Sequence, residues 1–164
     1  MTTVTLRGNP LQISGDLPAV GTAAPDFTLT GTDLKDVSLA DFAGQKVVLN
    51  IFPSLDTGVC AMSVRQFNTR IAGTGAACLC ISRDMPFAHR RFCTTEGIEN
   101  VKSLSELRAL SFGEAYGVRL MEGGMAGLLA RSVVVLDENG KVIYRELVPE
   151  IGQEPDYDAA MAAI

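Results

Sequence analysis

With 164 residues, 47% of them hydrophobic and 20% charged, the chain has the composition of one globular domain and not of a disordered segment. Its formal net charge of -5, without a basic run or an aromatic platform, argues against nucleic acid as a partner. No uninterrupted apolar stretch approaches the roughly 18 residues of a membrane span, and the first residues lack the pattern of a secretory signal. We therefore expect one domain over residues 1–164, located in the cytoplasm, where thiols stay reduced.

The first predicted elements are an N-terminal β-hairpin and a short helix. Residues 4–7 and 11–13 have strand character and flank Gly8-Asn9-Pro10, which is typical of a turn. Ser38 is suited to cap a brief helix at Leu39–Phe42, because its side chain can accept a hydrogen bond from a first-turn N–H group.

The chain is organised around one predicted strand, loop and helix. Residues 46–51 form a mostly apolar, β-branched run that is typical of a strand buried on both faces, and Pro53 ends it. Asp56 or Thr57 can supply the N-cap oxygen of the following helix. This order puts Cys60 in the first helical turn, just beyond the carboxyl end of a strand, where open α/β sheets bind ligands. The predicted apolar stripe of this helix consists of Cys60, Val64, Phe67 and Ile71.

The position of Cys60 favours reactivity. N–H groups of a first helical turn lack helical partners, and the helix dipole attracts negative charge, so the nucleophilic thiolate is stabilised there. The structural alternative is that Cys60 only begins a buried stripe, because free cysteine is among the most buried residue types. The hydroxyl of Thr57, three residues earlier, and the preceding Pro53 favour the functional interpretation.

The remaining pattern predicts an α/β fold with a mixed sheet. A second buried strand at residues 76–81 completes a βαβ unit, which implies parallel strands and a right-handed crossover. Ser132–Leu136 and Val142–Leu147, joined by a turn ending in Gly140, form the clearest hairpin. This order of elements favours a thioredoxin-like sheet flanked by helices. Also predicted are a strand at 27–29, a helix beginning at Asp84 or Met85, a strand at 101–104, a helical turn within 107–112, a glycine-rich loop at 122–127 and a C-terminal helix starting at Pro155.

The central motif resembles that of a known family. Pro53-Ser-Leu-Asp-Thr57-Gly-Val-Cys60 is similar to the active-site loop of peroxiredoxins, in which a proline, three residues, a threonine and two residues precede the reactive cysteine. The longer string that starts at Asn50 resembles the thiol peroxidase subfamily. The resemblance extends over essentially the whole chain. Further matches are Pro86-Phe-Ala-His-Arg-Arg-Phe-Cys93, Gly127-Leu-Leu-Ala-Arg131 and Glu154-Pro-Asp-Tyr157.

The resemblance implies a thioredoxin-like (peroxiredoxin) fold and reduction of hydrogen peroxide and organic hydroperoxides by an atypical two-cysteine cycle. Cys60 would become a sulfenic acid, Cys93 would form the Cys60–Cys93 disulfide with it, and thioredoxin would reduce that disulfide. Thr57 would position the peroxide, Arg131 would stabilise developing charge, and Pro53 would exclude water. No metal, haem or flavin is expected, and the family implies a homodimer.

Four other side chains have structural alternatives. Cys78 and Cys80 share one face of a predicted buried strand, and we expect both to pack in the core, because the single His89 makes a four-ligand metal shell improbable. Cys93 by itself could be a partly buried helical cysteine. His89 precedes Cys93 by one helical turn and could accept its proton, but we expect an exposed surface histidine. Arg131 could equally reach water from a strand end.

Two further expectations concern mechanism. Cys60 and Cys93 are each predicted near the start of a helix, and a disulfide needs Cα atoms within roughly 7 Å. We expect a larger separation in the reduced protein, so that helix ends unwind before the bond forms.

Two other functions stay open: a thiol–disulfide oxidoreductase or redox sensor, and a non-catalytic thioredoxin-like binding module.

Overall fold

A computed structural model describes residues 2–164. In chain order the strands are β1 (Thr3–Leu6), β2 (Asn9–Gln12), β3 (Thr28–Gly31), β4 (Asp36–Ser38), β5 (Val47–Ile51), β6 (Ala77–Ser82), β7 (Lys102–Ser105), β8 (Ser132–Leu136) and β9 (Val142–Leu147). The helices are α1 (Gly58–Ile71), α2 (Pro86–Glu96), α3 (Ser111–Ala115) and α4 (Tyr157–Ala162), with a 3-10 turn at Leu39–Phe42. Within residues 2–164, no helix combines the length and apolar character that crossing a membrane needs.

The main sheet has seven strands in the order β4-β3-β7-β6-β5-β8-β9. β5 pairs parallel with β6, and β6 pairs parallel with β7, whereas β8 and β9 run antiparallel at the other side of β5. Every residue of β5 is buried, as its continuous apolar run predicts. The predicted βαβ unit, the β8–β9 hairpin and the mixed sheet are therefore confirmed.

Side chains that alternate along the strands pack into two separate apolar clusters, one on each face of the sheet. Val48 contributes to the cluster under α1 and α4, whereas its neighbour Leu49 contributes to the cluster on the opposite face. That opposite face is covered by Phe112 of α3 and by Val4 of the N-terminal hairpin. The predicted α1 stripe is buried along its whole length. Both faces of the sheet are thus covered, and the carboxyl ends of β5 and β6 meet at one edge.

The N-terminal hairpin is confirmed, but its turn consists of Arg7 and Gly8 and not of residues 8–10. Arg7 and Gly8 both have positive φ, 52° and 81°, and Leu6 faces Asn9 across the pair. A two-residue turn with two positive φ angles matches the twist of the strands that it joins. Pro10 consequently lies inside β2, which tolerates it because this strand has only one neighbour.

Some element bounds differ from the sequence prediction. The short strand β4 was not predicted, because its three residues carry too little periodicity. The helical turn expected within 107–112 begins instead at Ser111. The C-terminal helix begins at Tyr157, because the Asp156 side chain caps it by accepting a hydrogen bond from Ala159 N, and Pro155 lies before that cap.

Candidate active site

Thr57 is the N-cap residue of α1. Its Oγ1 accepts a hydrogen bond from Cys60 N at 3.4 Å and donates one to Ser54 O at 3.2 Å. Asp56, the other candidate cap, is exposed and faces Arg91 at 3.7 Å. The N-cap interaction with the third helical residue holds Cys60 in the first turn, where the sequence placed it.

Cys60 and Arg131 are in direct contact. Arg131 Nη2 lies 3.2 Å from Cys60 Sγ, although the two residues are 71 positions apart in the chain. Cys60 has no exposed surface, and Arg131 is 1% exposed, so the alternative of an arginine that reaches water from a strand end is wrong. A guanidinium at this distance stabilises negative charge on sulfur.

The other donors of Arg131 fix its orientation and leave one free. Nε donates to Ile151 O at 3.0 Å, and Nη1 is buried without a hydrogen-bond partner among residues 2–164. A buried N–H without an acceptor is costly, so this donor is available to an oxygen atom that enters the site.

A cavity of about 580 Å³ opens beside these side chains. Thr57, Val59 and Arg131 line it, and Arg131 connects it to the buried Cys60 sulfur. Its walls are mostly apolar, and the turn of the N-terminal hairpin borders it. Further lining residues are Leu6, Met125 and Ile151.

Asp84 positions the loop between β5 and α1, a role that the sequence analysis missed. Its carboxylate accepts hydrogen bonds from Leu55 N and Ser54 Oγ, both at 2.8 Å, and from Ser82 Oγ at 2.6 Å. The available signal was topological: Asp84 follows β6, whose carboxyl end lies next to that of β5 in a parallel pair. Pro53 is buried in the same loop.

Cys93 lies in the last turns of α2, so the expectation that it begins a helix is wrong. α2 starts at Pro86, immediately after the β6–α2 loop, and continues to Glu96 because Gly97, with φ 66°, provides its C-cap. Cys93 is partly buried, and its Sγ lies 3.3 Å from Ser103 Oγ on β7. Burial raises the pKa of this thiol, an effect that the hydrogen bond to Ser103 partly opposes.

The structure does not bring Cys60 and Cys93 together. All four cysteines are free thiols. The partner of Cys93 is on β7, the partner of Cys60 directly precedes β8, and β6 and β5 lie between these strands. Three strand spacings of about 4.8 Å amount to roughly 14 Å. A bond between the two sulfurs therefore requires part of the chain to move.

Cys78 and Cys80 are buried in the apolar cluster beneath the helices, in line with the packing role expected for them. Burial raises the pKa of Cys78 well above its usual value, so this thiol stays protonated. Among residues 2–164, no group of three or more His, Cys, Asp and Glu side chains could hold a metal ion.

His89 is fully buried, so the prediction of an exposed histidine is wrong. Its Nε2 lies 3.0 Å from Ser82 Oγ, and burial lowers its pKa to about 4. Helical spacing could have predicted this burial, because His89 lies three residues after Pro86 and therefore on the same face of the helix. Pro86 and His89 face the sheet, whereas Arg90 and Arg91 are exposed.

The redoxin family profile matches residues 19–161. This chain belongs to the redoxin family. The thiol peroxidase of Mycobacterium tuberculosis is 58% identical to it over all of this chain and 99% of that protein. The thiol peroxidase of Corynebacterium glutamicum is 56% identical over 159 residues, 96% of each chain.

Solved structures agree with the fold. A peroxiredoxin-like protein from Aquifex aeolicus superposes with a TM-score of 0.93 at 39% identity, covering 99% of this redoxin and 95% of that chain. The thiol peroxidase from Chromobacterium violaceum gives 0.87 at 24% identity, with 96% and 91% covered, and supports the fold alone. The thioredoxin-like peroxiredoxin fold and a thiol-dependent peroxidase activity, both expected from the sequence, are confirmed.

Proposed function

We propose that Cys60 is the residue that reduces hydroperoxides in this peroxidase. The observation that carries the proposal is the 3.2 Å contact between Cys60 Sγ and Arg131 Nη2, at a helix N-terminus and beside a cavity. The buried guanidinium and the first-turn N–H groups both favour thiolate, the nucleophilic form of cysteine.

In the first step, the Cys60 thiolate attacks the terminal oxygen of the hydroperoxide. A sulfur–oxygen bond forms as the O–O bond breaks, so the sulfur is oxidised to sulfenic acid. The departing alkoxide or hydroxide takes up a proton and leaves as alcohol or water. The unpartnered Nη1 of Arg131 donates to a peroxide oxygen and stabilises the charge that develops there.

Thr57 and Pro53 support this step in different ways. The Thr57 hydroxyl lines the cavity, and its proton donates to Ser54 O in the reduced protein. Positioning a peroxide with this hydroxyl requires the proton to turn towards the substrate while the oxygen still accepts from Cys60 N. Pro53, buried in the same loop, limits the access of water to the sulfur.

In the second step, Cys93 attacks the sulfenic sulfur of Cys60. A disulfide forms, and the sulfenic oxygen leaves as water with the proton that the Cys93 thiol gives up. A thioredoxin-type dithiol then reduces the bond and becomes a disulfide itself. We place this cycle in the cytoplasm, where such dithiols stay reduced.

A homodimer is part of the proposal. Exposed apolar side chains follow the carboxyl ends of the parallel strands β6 and β7, which meet at the edge that also carries Cys60. Such a patch is typical of a protein interface. Its largest members are Met85, Phe87, Leu107 and Leu110.

The test is peroxide-dependent oxidation of NADPH in the presence of thioredoxin and thioredoxin reductase. We expect turnover by the parent protein and none by Cys60→Ser, because an alcohol is a poor nucleophile at neutral pH. Cys78→Ala is the matched control, since that thiol is buried away from the cavity. Substantial turnover by Cys60→Ser would contradict the assignment. Disulfide exchange without peroxide would favour the oxidoreductase alternative.

A further inference from the structure

His89 is the single histidine of the chain and lies in the N-terminal half of α2 without exposed surface. Its hydrogen bonding defines its tautomer. Ser82 Oγ donates its one proton to Asp84 Oδ2, so it must accept from His89, and Nε2 carries the hydrogen. Nδ1 is then a bare acceptor, and it has no partner among residues 2–164. The imidazole is therefore docked as a neutral ring.

The partners of His89 connect α2 to the loop that precedes Cys60. Asp84, at the end of the Ser82 hydrogen bond, also accepts from Ser54 Oγ and Leu55 N. The His89 ring packs at 6.4 Å from the ring of Phe52, next to the end of β5. One side chain of α2 is thus attached to the loop between β5 and α1 through a continuous set of contacts.

We propose that His89 is a positioning residue for disulfide formation: docked on Ser82 it holds α2 closed, and its protonation releases α2 together with Cys93. This inference rests on the proposed function in one respect, the role of Cys93 as the thiol that attacks oxidised Cys60. It concerns the second step of the cycle and leaves the first step to Cys60 and Arg131.

The whole of α2 opens together because of its length. The helix has 11 residues, and isolated helices shorter than about 12–15 residues are marginal in water. Besides Ser103 and Ser82, α2 is held by Arg65 of α1, which donates to Glu96 at 2.8 and 3.1 Å, and by Phe92, which packs against the apolar cluster under α1. Release of Cys93 separates these contacts as well. His89, one turn away from Cys93, consequently enters water in the open state.

The surroundings of His89 make the opening of α2 more favourable as pH falls. Burial lowers the pKa of docked His89 to about 4, although Asp84, the charged group that faces it from the β6–α2 loop, acts in the opposite sense. Asp84 is the charged group that acts on His89, whereas the thiols of Cys80 on β6 and Cys93 on α2 interact with each other. In water an imidazole has a pKa of about 6.5, so the closed state loses stability as pH falls below that value. The open population should rise about tenfold at pH 5.5 relative to pH 7.5.

The direct test uses the single imidazole in proton NMR. We expect it to titrate near pH 4 in the reduced protein and to return towards 6.5 once one equivalent of hydrogen peroxide has formed the disulfide. A Cys60–Cys93 bond confirmed by mass spectrometry with an unchanged His89 titration would overturn this inference alone. Failure of that bond to form would overturn both the inference and the proposed role of Cys93.

A kinetic test compares the parent with His89→Gln, whose amide can donate to Ser82 but cannot be protonated. Rapid quench and mass spectrometry give the rate at which sulfenic acid becomes disulfide. The ionisation of Cys93 affects both proteins equally, so it drops out of the ratio of the parent rate to the variant rate. We expect this ratio to rise about tenfold from pH 7.5 to pH 5.5. The matched control is Arg90→Gln, an exposed neighbour, which should follow the parent. A ratio that does not change with pH would overturn the inference, and the NMR test on the parent stands if the variant fails to fold.

Discussion

At the scale of single residues, Arg131 combines a high cost of burial with a specific use. A buried charge is tolerated when its surroundings compensate it, and here Ile151 O and the Cys60 sulfur do so. Lysine cannot replace this geometry, because it lacks the planar fork that reaches both partners at once. The guanidinium is held before the peroxide arrives, so its alignment costs little during the reaction.

Arg131→Met should slow peroxide reduction by about 10²-fold, the effect of losing one preorganised donor. The variant should also hold less Cys60 as thiolate, because the stabilising charge is gone. Rapid mixing with hydrogen peroxide measures the first effect, and the pH dependence of alkylation by iodoacetamide measures the second. Arg90→Met, at an exposed position, is the control. An alkylation profile identical to that of the parent would rule out the electrostatic role.

At the scale of elements, α1 and α2 differ in the interactions that stabilise them. α1 has 14 residues, a buried apolar stripe and a side-chain cap at Thr57. α2 is shorter, has no side-chain cap at Met85, and depends on contacts with β6, with β7 and with Arg65 of α1. The shorter helix, without a side-chain cap, is the one that carries Cys93, and we expect it to be the one that moves.

Removing the cap of α1 should affect both stability and rate. Thr57→Val loses the acceptor for Cys60 N and should lower the free energy of unfolding by about 1 kcal/mol, measured by urea denaturation. Peroxide reduction should slow as well, because Cys60 loses the support that orients the first turn. Thr57→Ser keeps the hydroxyl and should remain close to the parent in both measurements. If Thr57→Val and Thr57→Ser behave alike, the hydroxyl has neither role.

Disulfide formation should change the hydrogen exchange of both helices locally. We expect faster exchange at residues 57–64 and 86–95 in the oxidised protein, because Cys60 and Cys93 bind different partners in the reduced form and must leave them to form the bond. Cys93→Ser should reduce one equivalent of peroxide quickly and then stop as sulfenic acid, open to overoxidation. Unchanged protection in a protein whose Cys60–Cys93 bond is confirmed would exclude the unwinding step.

At the scale of the whole molecule, the two ends of the chain meet at the cavity. Glu150 accepts hydrogen bonds from Thr5 Oγ1 and from the backbone N–H groups of Arg7 and Gly8, and these bonds lower its pKa to about 2. The next residue, Ile151, supplies the carbonyl that orients Arg131. The N-terminal hairpin is thereby attached to the segment that supports the reactive cysteine. We propose that residues 1–164 act as one domain for this reason.

Loss of this attachment should loosen the hairpin. Because the pKa of Glu150 is depressed in the folded protein, its contribution is present above about pH 4.5 and is lost as pH falls towards 2. At neutral pH, Glu150→Gln should speed tryptic cleavage after Arg7, which gel electrophoresis follows. Glu138→Gln, at an exposed position in the β8–β9 turn, provides the control. Equal cleavage rates in the two variants would show that the carboxylate does not hold the hairpin.

The features that the sequence alone determined depend on short-range pattern. The β5–α1 unit, an N-cap at Asp56 or Thr57, the β8–β9 hairpin and the buried stripe of α1 follow from periodicity and turn chemistry within a few residues. The Cys60 motif was recognisable for the same reason, since Pro53, Thr57 and Cys60 lie within one turn-and-helix segment.

Tertiary packing decided what depends on distant parts of the chain. Arg131 reaches Cys60 across 71 positions, and Asp84 holds a loop some 30 positions earlier, so no local pattern shows either contact. The burial of His89 was mispredicted because a histidine on a short helix is compatible with solvent or core, and only the sheet under α2 selects the core. The separate hydrogen-bond partners of Cys60 and Cys93 likewise depend on the strand order, which places β6 and β5 between Ser103 and Arg131. Local pattern therefore located the reactive cysteine, whereas long-range packing supplied its charge partner and the need for α2 to move.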